Sequence, residues 1–183
     1  MLFSLHDLEL RKIEFAETYA PGKIDLGEEV VQKTPLTASG RAELLEEHHG
    51  GKKNIVKDIR VVGKFATEVE LRCARCVEPV TEQISGDFDL LYRPLATVQR
   101  EEEVAINEAE SEIGYYQGEG IQLEDVLKEQ IFLAMPMQIL CQEDCKGLCP
   151  QCGQNKNLGE CGCSKQSDPR WAALADIKDK LKQ

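Results

Sequence analysis

The sequence predicts an α+β fold, with a mainly antiparallel β domain and one main helix over residues 1–140, followed by a cysteine-rich segment, 141–183, that ends in a short helix. Three observations carry this prediction. Apolar residues alternate with polar ones through most of the first hundred positions, and the punctuation there is Gly, Pro and Asn rather than helix caps. A single segment near residues 122–135 shows the apolar period of a helix. Beyond it, residues 141–163 hold too much Cys, Gly, Asn and Gln to build an apolar core, so something other than packing must pin them.

Taken in chain order, Leu36–Glu47 reads as a strand, and His48 to Asn54 as the polar, Gly-containing loop that closes a hairpin. A long strand follows from Ile55 to Leu71, with Val61, Phe65, Val69 and Leu71 placed on one face by a bulge near Gly63. The next strand runs from Val80 to Tyr92, which puts Cys73-Ala74-Arg75-Cys76 in the turn between the two. Residues 101–129 carry ten carboxylates against one basic residue, Lys128, so the acidic segment 101–120 reads as a solvated stretch. From Ile121 onward Leu123, Val126, Leu127, Ile131 and Leu133 or Ala134 form an apolar stripe, and Pro136 stops the helix. A last helix begins at Asp168 as N-cap, with Pro169 in its first turn and Trp171, Leu174, Ile177 and Leu181 on one face.

The composition limits the function classes. The first fifteen residues lack the basic, apolar and small-residue regions of a secretory leader, and the longest apolar run, Ile131 to Met137, is far too short to span a bilayer and is broken by Pro136. A cytoplasmic protein is the expectation. The formal charge of -11 argues against binding naked nucleic acid through a general basic surface, since phosphate neutralisation needs Lys and Arg. An acidic surface still suits a basic macromolecular partner.

Eight cysteines in a reducing compartment point to metal rather than disulfides. They fall in order as Cys73/Cys76, Cys141/Cys145, Cys149/Cys152 and Cys161/Cys163, enough for two tetrahedral four-thiolate sites. Zinc is the expected cofactor, as two ions. Cys149, Cys152, Cys161 and Cys163 lie close enough to fold as one zinc-ribbon-like unit, with Gly153 at the positive-φ position such a turn favours. Cys73 and Cys76 would then join Cys141 and Cys145 and tie the sheet to the C-terminal segment. Spacing leaves Cys145 and Cys149 interchangeable between the two sites.

Other chemistries fit less well. A redox C-x-x-C belongs at a strand-to-helix junction, whereas strands flank Cys73 and Cys76 on both sides. The spacings do not match those of ferredoxin clusters. Four thiolates leave no coordination position for water or substrate, and no nucleophile elbow, phosphate loop or dinucleotide fingerprint is present. His6, His48 and His49 read as exposed loop residues. The expectation is a protein that is not an enzyme and takes no small-molecule substrate.

Leu71-Arg-Cys-Ala-Arg-Cys-Val77, Asp125 through Pro136, Cys141-Gln-Glu-Asp-Cys-Lys-Gly-Leu-Cys-Pro-Gln-Cys-Gly-Gln-Asn155 and Asp168-Pro-Arg-Trp171 together resemble the bacterial YceD family of large ribosomal RNA subunit accumulation proteins. The resemblance spans nearly the whole chain and is most specific in its C-terminal third. It implies a non-enzymatic factor for 23S rRNA accumulation and large-subunit biogenesis, acting on the precursor large ribosomal subunit through an rRNA segment or a ribosomal protein. It also implies a chloroplast branch, and branches that keep the earlier cysteines while lacking the later ones. The candidate contacts under this resemblance are Arg72 and Arg75 beside the first cysteine pair, and Lys146, Lys156, Lys165 and Arg170 in residues 141–183, which carry seven basic against six acidic side chains. The alternative is an acidic adaptor that grips a basic partner such as a ribosomal protein without touching RNA.

Overall fold

The computed structural model describes residues 1–48, 55–95 and 113–163. Of the hairpin loop expected at 48–54, residues 49–54 lie outside the described residues, whereas His48 ends a strand. Of the acidic segment 101–120, expected to be solvated, residues 101–112 lie outside them, whereas 113–116 form a strand. The terminal helix expected from Asp168 also lies outside them. In chain order the elements are β1 (Leu2–Ser4), α1 (Leu5–Leu10), β2 (Ile13–Tyr19), β3 (Val31–Gln32), β4 (Leu36–His48), β5 (Ile55–Arg72), β6 (Pro79–Pro94), β7 (Ile113–Tyr116), β8 (Gly120–Gln122) and α2 (Leu123–Ala134). The main sheet runs β2-β4-β5-β6-β7, with β3 also paired to β5, and a two-stranded ribbon joins β1 to β8. This is an α+β architecture built on a mostly antiparallel sheet.

Alternation decides which side chains face inward. On β5, Ile59, Val61, Phe65, Thr67 and Val69 are buried on one face, and Ile84 and Phe88 of β6 join them. The small ribbon and α2 cover this face. Phe3 of β1 meets Phe15 of β2 with ring centroids 5.4 Å apart. From α2 the chain contributes Leu123, Val126, Leu127 and Ile131, each 2% exposed or less and each worth roughly 1.5–3 kcal/mol of burial. Both helices start directly from the ribbon: the Leu5 N–H donates to Glu119 O at 2.8 Å and the Leu123 N–H to Met1 O at 2.9 Å. Ser4 caps α1, accepting the Asp7 N–H on its Oγ at 3.1 Å.

Two further expectations need correction. No bulge forms at Gly63: the β4–β5 and β5–β6 registers run unbroken through it, as Gly40↔Gly63 and Gly63↔Phe88. Val61, Phe65, Val69 and Leu71 already share one parity, so plain alternation aligns them. Gly63 is instead part of a cross-strand row in which the Phe15 and Phe88 rings lie over two adjacent glycines. The sheet is mainly antiparallel, as expected, except that β7 pairs parallel to β6, from Leu91↔Ile113 to Pro94↔Tyr116. On α2 neither Leu133, 71% exposed, nor Ala134 continues the apolar stripe. Met135 takes that seat against the core, four residues after Ile131, in extended backbone set by the following Pro136. A short helix, α1, also stands among the strands of the first hundred residues.

The long β5–β6 hairpin is what positions the cysteines. Its ladder runs from Ile59↔Tyr92 to Arg72↔Pro79 and ends at the turn that carries Cys73 and Cys76. Because α2 packs on β6, the chain leaving it returns past that turn, where the Ala74 N–H donates to Ile139 O at 2.8 Å.

A Cβ added at Gly63 would stand 2.8 Å from Phe88 Cζ and 2.9 Å from Ser39 O, the second of which belongs to rigid ladder backbone. Gly63→Ala is therefore expected to destabilise the protein by about 1–3 kcal/mol. Gly86→Ala, whose Cβ would meet only the Phe65 ring at 3.1 Å, should cost less. Urea unfolding of the two variants beside the parent measures both.

Candidate metal centres

Two turns of the same design hold the C-x-x-C pairs. In the first, the Cys73 N–H donates to Glu78 O at 2.8 Å and the Val77 N–H to Cys73 O at 2.9 Å. In the second, the Cys149 N–H donates to Gln154 O and the Gly153 N–H to Cys149 O, both at 2.8 Å. Each turn needs a left-handed residue straight after its second cysteine. Gly153 fills that place with φ 73°, as the sequence led us to expect, whereas the first turn puts Val77 there at φ 64°.

The eight sulfurs gather into two foursomes, Cys73/Cys76/Cys141/Cys145 and Cys149/Cys152/Cys161/Cys163, and within each all four lie within 4.8 Å of one another. Cys145 thus belongs with the first group and Cys149 with the second. Each foursome could hold a metal ion. The Cys73–Cys145 and Cys76–Cys141 sulfur separations are 3.8 and 3.5 Å. These match the edge of about 3.8 Å that four thiolates make around zinc at about 2.3 Å. They are far longer than a disulfide bond of about 2.05 Å, and all eight cysteines are free. The donor set and its spacing fit zinc.

The backbone tunes these thiols. At Cys73 burial opposes charge, yet the N–H groups of Cys76, Arg75 and Cys141 outweigh it and bring the thiol down to about 6. At Cys149 the N–H groups of Cys152 and Gln151, then the Cys161 thiol, bring it down to about 6 as well. Cys145 is lowered chiefly by the side-chain amide of Asn157. Burial, followed by the neighbouring thiols, pushes Cys141 up to about 12. Hydrogen bonding with Cys152, then burial, pushes Cys163 up to about 12. Each group thus pairs a ready thiolate with thiols that keep their protons until a cation displaces them.

The candidate contact residues are distributed unevenly. Arg75 is exposed, and its Nη1 donates to Cys145 O at 3.0 Å and Glu143 O at 3.4 Å, which ties the two halves of the first foursome together. Arg72 donates to Val77 O at 3.4 Å across its own turn. Lys146 is exposed and Lys156 half-buried, with the Lys156 N–H on Gly147 O at 2.9 Å. Lys165 and Arg170 lie outside the described residues. Sequence reasoning missed Asn155 and Asn157. The Asn155 side chain donates to Glu78 Oε1 at 3.1 Å, and that of Asn157 to Cys145 Sγ at 3.2 Å. Their signal was two asparagines bracketing Lys156 between cysteine pairs, which reads equally as ordinary turn chemistry.

Comparison with known proteins agrees with this geometry. The family model described as "Large ribosomal RNA subunit accumulation protein YceD" matches residues 61–178, well over half of the chain and across all eight cysteines. The chain belongs to the YceD family. Among curated relatives, an uncharacterised protein of Mycobacterium tuberculosis is 32% identical over 127 residues, which are 68% of this chain and 58% of that protein. The chain therefore spans little more than half of its mycobacterial relative. The Bacillus subtilis protein YlbN is 26% identical over 179 residues, covering 96% of this chain and 94% of the relative. The chloroplast protein of Arabidopsis thaliana named large ribosomal RNA subunit accumulation protein YCED homolog 1 is 26% identical over 153 residues, 69% of this chain and 46% of its own length. No solved structure matches. No described helix is long and apolar enough to cross a membrane.

Two outcomes are expected of this YceD-family chain. Thiolate absorbance of the metal-free protein should show Cys73 and Cys149 ionising near pH 6, while Cys141 and Cys163 hold their protons to about 12. Since the first two fall below the ordinary thiol value of 9.0, their ionisation stabilises the fold fully above that value, and the contribution disappears as pH falls through about 6. Unfolding midpoints of the metal-free protein across that range check the sign. Separately, Gly153→Val should cost about 1–2 kcal/mol through its left-handed backbone, and Val77→Gly should be neutral or gain up to about 1 kcal/mol. Chemical denaturation of the metal-loaded proteins measures both.

Proposed function

We propose that the chain is a non-catalytic, zinc-holding cytoplasmic factor that supports 23S rRNA accumulation and biogenesis of the large ribosomal subunit. The observation that carries this reading is the family match over residues 61–178, together with a chloroplast relative whose name states large ribosomal RNA subunit accumulation. The chemistry of the site favours it. Four thiolates per group satisfy a zinc ion completely, which suits scaffolding and leaves no position for an activated water. Zinc at the first group would lock the β5–β6 turn to the segment after α2 and so present residues 141–163 as one rigid surface. On this reading Lys146, which is exposed, and Lys156, which is half-buried, would meet phosphate on the precursor particle.

Depletion of the protein should lower the ratio of large- to small-subunit rRNA, and tagged wild-type protein should restore it while sedimenting with precursor large subunits. Cys76→Ser, which removes one buried sulfur of the first foursome, should fail to restore the ratio. An unchanged ratio on depletion, with the tagged protein at the top of the gradient, would sink the assembly role and leave only a zinc-binding scaffold.

A further inference from the structure

The loop between Cys152 and Cys161 makes contacts that metal coordination by its own group does not require. Asn157 sits at its centre and faces the other foursome. Its Oδ1 accepts the Lys146 backbone N–H at 2.8 Å and the Gln142 side chain at 3.4 Å. That fixes the amide's orientation, because a backbone N–H can only be met by the oxygen, and so turns Nδ2 toward Cys145 Sγ, 3.2 Å away. The loop is braced in this position. The Asn157 N–H donates to Asn155 Oδ1 at 3.0 Å, Asn155 reaches Glu78 in the first turn, and Leu148 bridges Asn155. The Lys156 N–H donates to Gly147 O at 2.9 Å and the Leu148 N–H to Arg75 O at 3.2 Å.

Burial sets the order of dependence. In the first group Cys73, Cys76 and Cys145 are 2–4% exposed and Cys141 is exposed, with Cys73 and Cys76 in the turn that ends the hairpin ladder and the other two on the chain returning from α2. In the second group Cys149 is buried but Cys152 and Cys163 are exposed, and none of its ligands adjoins a described strand of the sheet. Four thiolates around one divalent ion carry net negative charge, and an N–H donor on a sulfur both spreads that charge and fixes the ligand's direction. The second group closes the loop that delivers such a donor to the first.

We propose that the two centres are coupled, with Asn157 as the positioning residue through which metal at Cys149/Cys152/Cys161/Cys163 tightens metal at Cys73/Cys76/Cys141/Cys145. This rests on the reading that both groups take zinc. Coupling is reciprocal, so an occupied first centre also favours closure of the second. The module behaves as a two-step clasp in which the buried centre forms on the folded sheet and the exposed centre secures it from outside.

The test uses the full chain loaded with zinc. Chelator competition is read by which cysteine-containing peptides become open to alkylation, so the first centre is followed on its own. Asn157→Asp preserves size and the acceptor for Lys146, but replaces the N–H donor with a carboxylate oxygen. It is expected to weaken zinc at the first centre by about tenfold or more. Cys163→Ser, which touches no ligand of the first centre, is expected to weaken it by a similar factor, and the two changes together should do little more than either alone. With cobalt in the first centre, Asn157→Asp should move the thiolate-to-metal charge-transfer band to longer wavelength, a signature that a change in packing alone would not produce.

First-centre affinity unchanged in Cys163→Ser, or losses that multiply in the double variant, would overturn the coupling while leaving two zinc ions per chain. Fewer than two zinc ions in the wild-type protein would overturn the metal reading, and the coupling with it.

Discussion

The gathering of Cys73 and Cys76 with Cys141 and Cys145 is the constraint on which residues 139–163 depend. It joins positions up to 72 residues apart, and closing such a loop costs chain entropy that grows only slowly with length. Apolar burial offers little to offset that cost locally. From Ile139 to Cys163 the buried side chains are Ile139, Cys145 and Cys149, while Leu148 and Leu158 are exposed. Structural zinc sites contribute about 10–16 kcal/mol in small peptides at neutral pH, which is the scale of a whole domain's stability. A metal ion held by each foursome would do the work that a hydrophobic core does under the sheet.

The sheet makes its own contribution, which is aim. A long unbroken hairpin transmits position only if it is stiff, and the β5–β6 ladder is held from both sides. On the inner face Phe15 and Phe88 lie over Gly40 and Gly63, so the aromatic rings fill the space that two missing side chains leave. On the outer face Arg60 makes a two-pronged ion pair to Asp89 at 2.8 and 2.6 Å. Near the far end of the hairpin, buried Asp58 meets Arg93 at 2.7 Å. Losing either partner there would strand a charge away from water. These contacts tell the Cys73 turn where to be, and α2, seated on β6, brings Ile139 and Cys141 to meet it.

What could be read from the sequence divides along the same physical line. Elements that rest on periodicity were legible: the strand at Leu36–His48, the hairpin around Cys73, and the α2 stripe of Leu123, Val126, Leu127 and Ile131. Pairing the cysteines in chain order also leads to the two foursomes the structure gathers, because a thiol cluster forms most simply from neighbouring turns. What failed depended on partners distant in sequence. Gly63 suggested a bulge because its use, a seat under Phe15 and Phe88, is visible only once four strands are paired. The parallel β7 needs a crossover connection that alternation cannot reveal. Helix α1 is six residues long, too short for a periodic signal, and rests on the Ser4 cap and the ribbon. Asn157 matters only because a cysteine twelve residues earlier faces it.

The contrast between Val77 and Gly153 shows how support from the surroundings substitutes for local preference. Both occupy the left-handed position of the same turn, which a β-branched residue adopts only at a cost. At Val77 the turn ends a ladder reaching back to Ile59↔Tyr92, with Arg72 and Arg75 bonded to carbonyls around it, so the backbone is held whichever residue stands there. At Gly153 the described surroundings offer one isolated bridge, Leu148↔Asn155, and a handful of turn hydrogen bonds. A turn with so little behind it depends on a residue that enters the conformation without strain. The first turn is therefore imposed by the fold and the second is written into its own five residues, which is why the second could be recognised from Gly153 alone and the first could not from Val77.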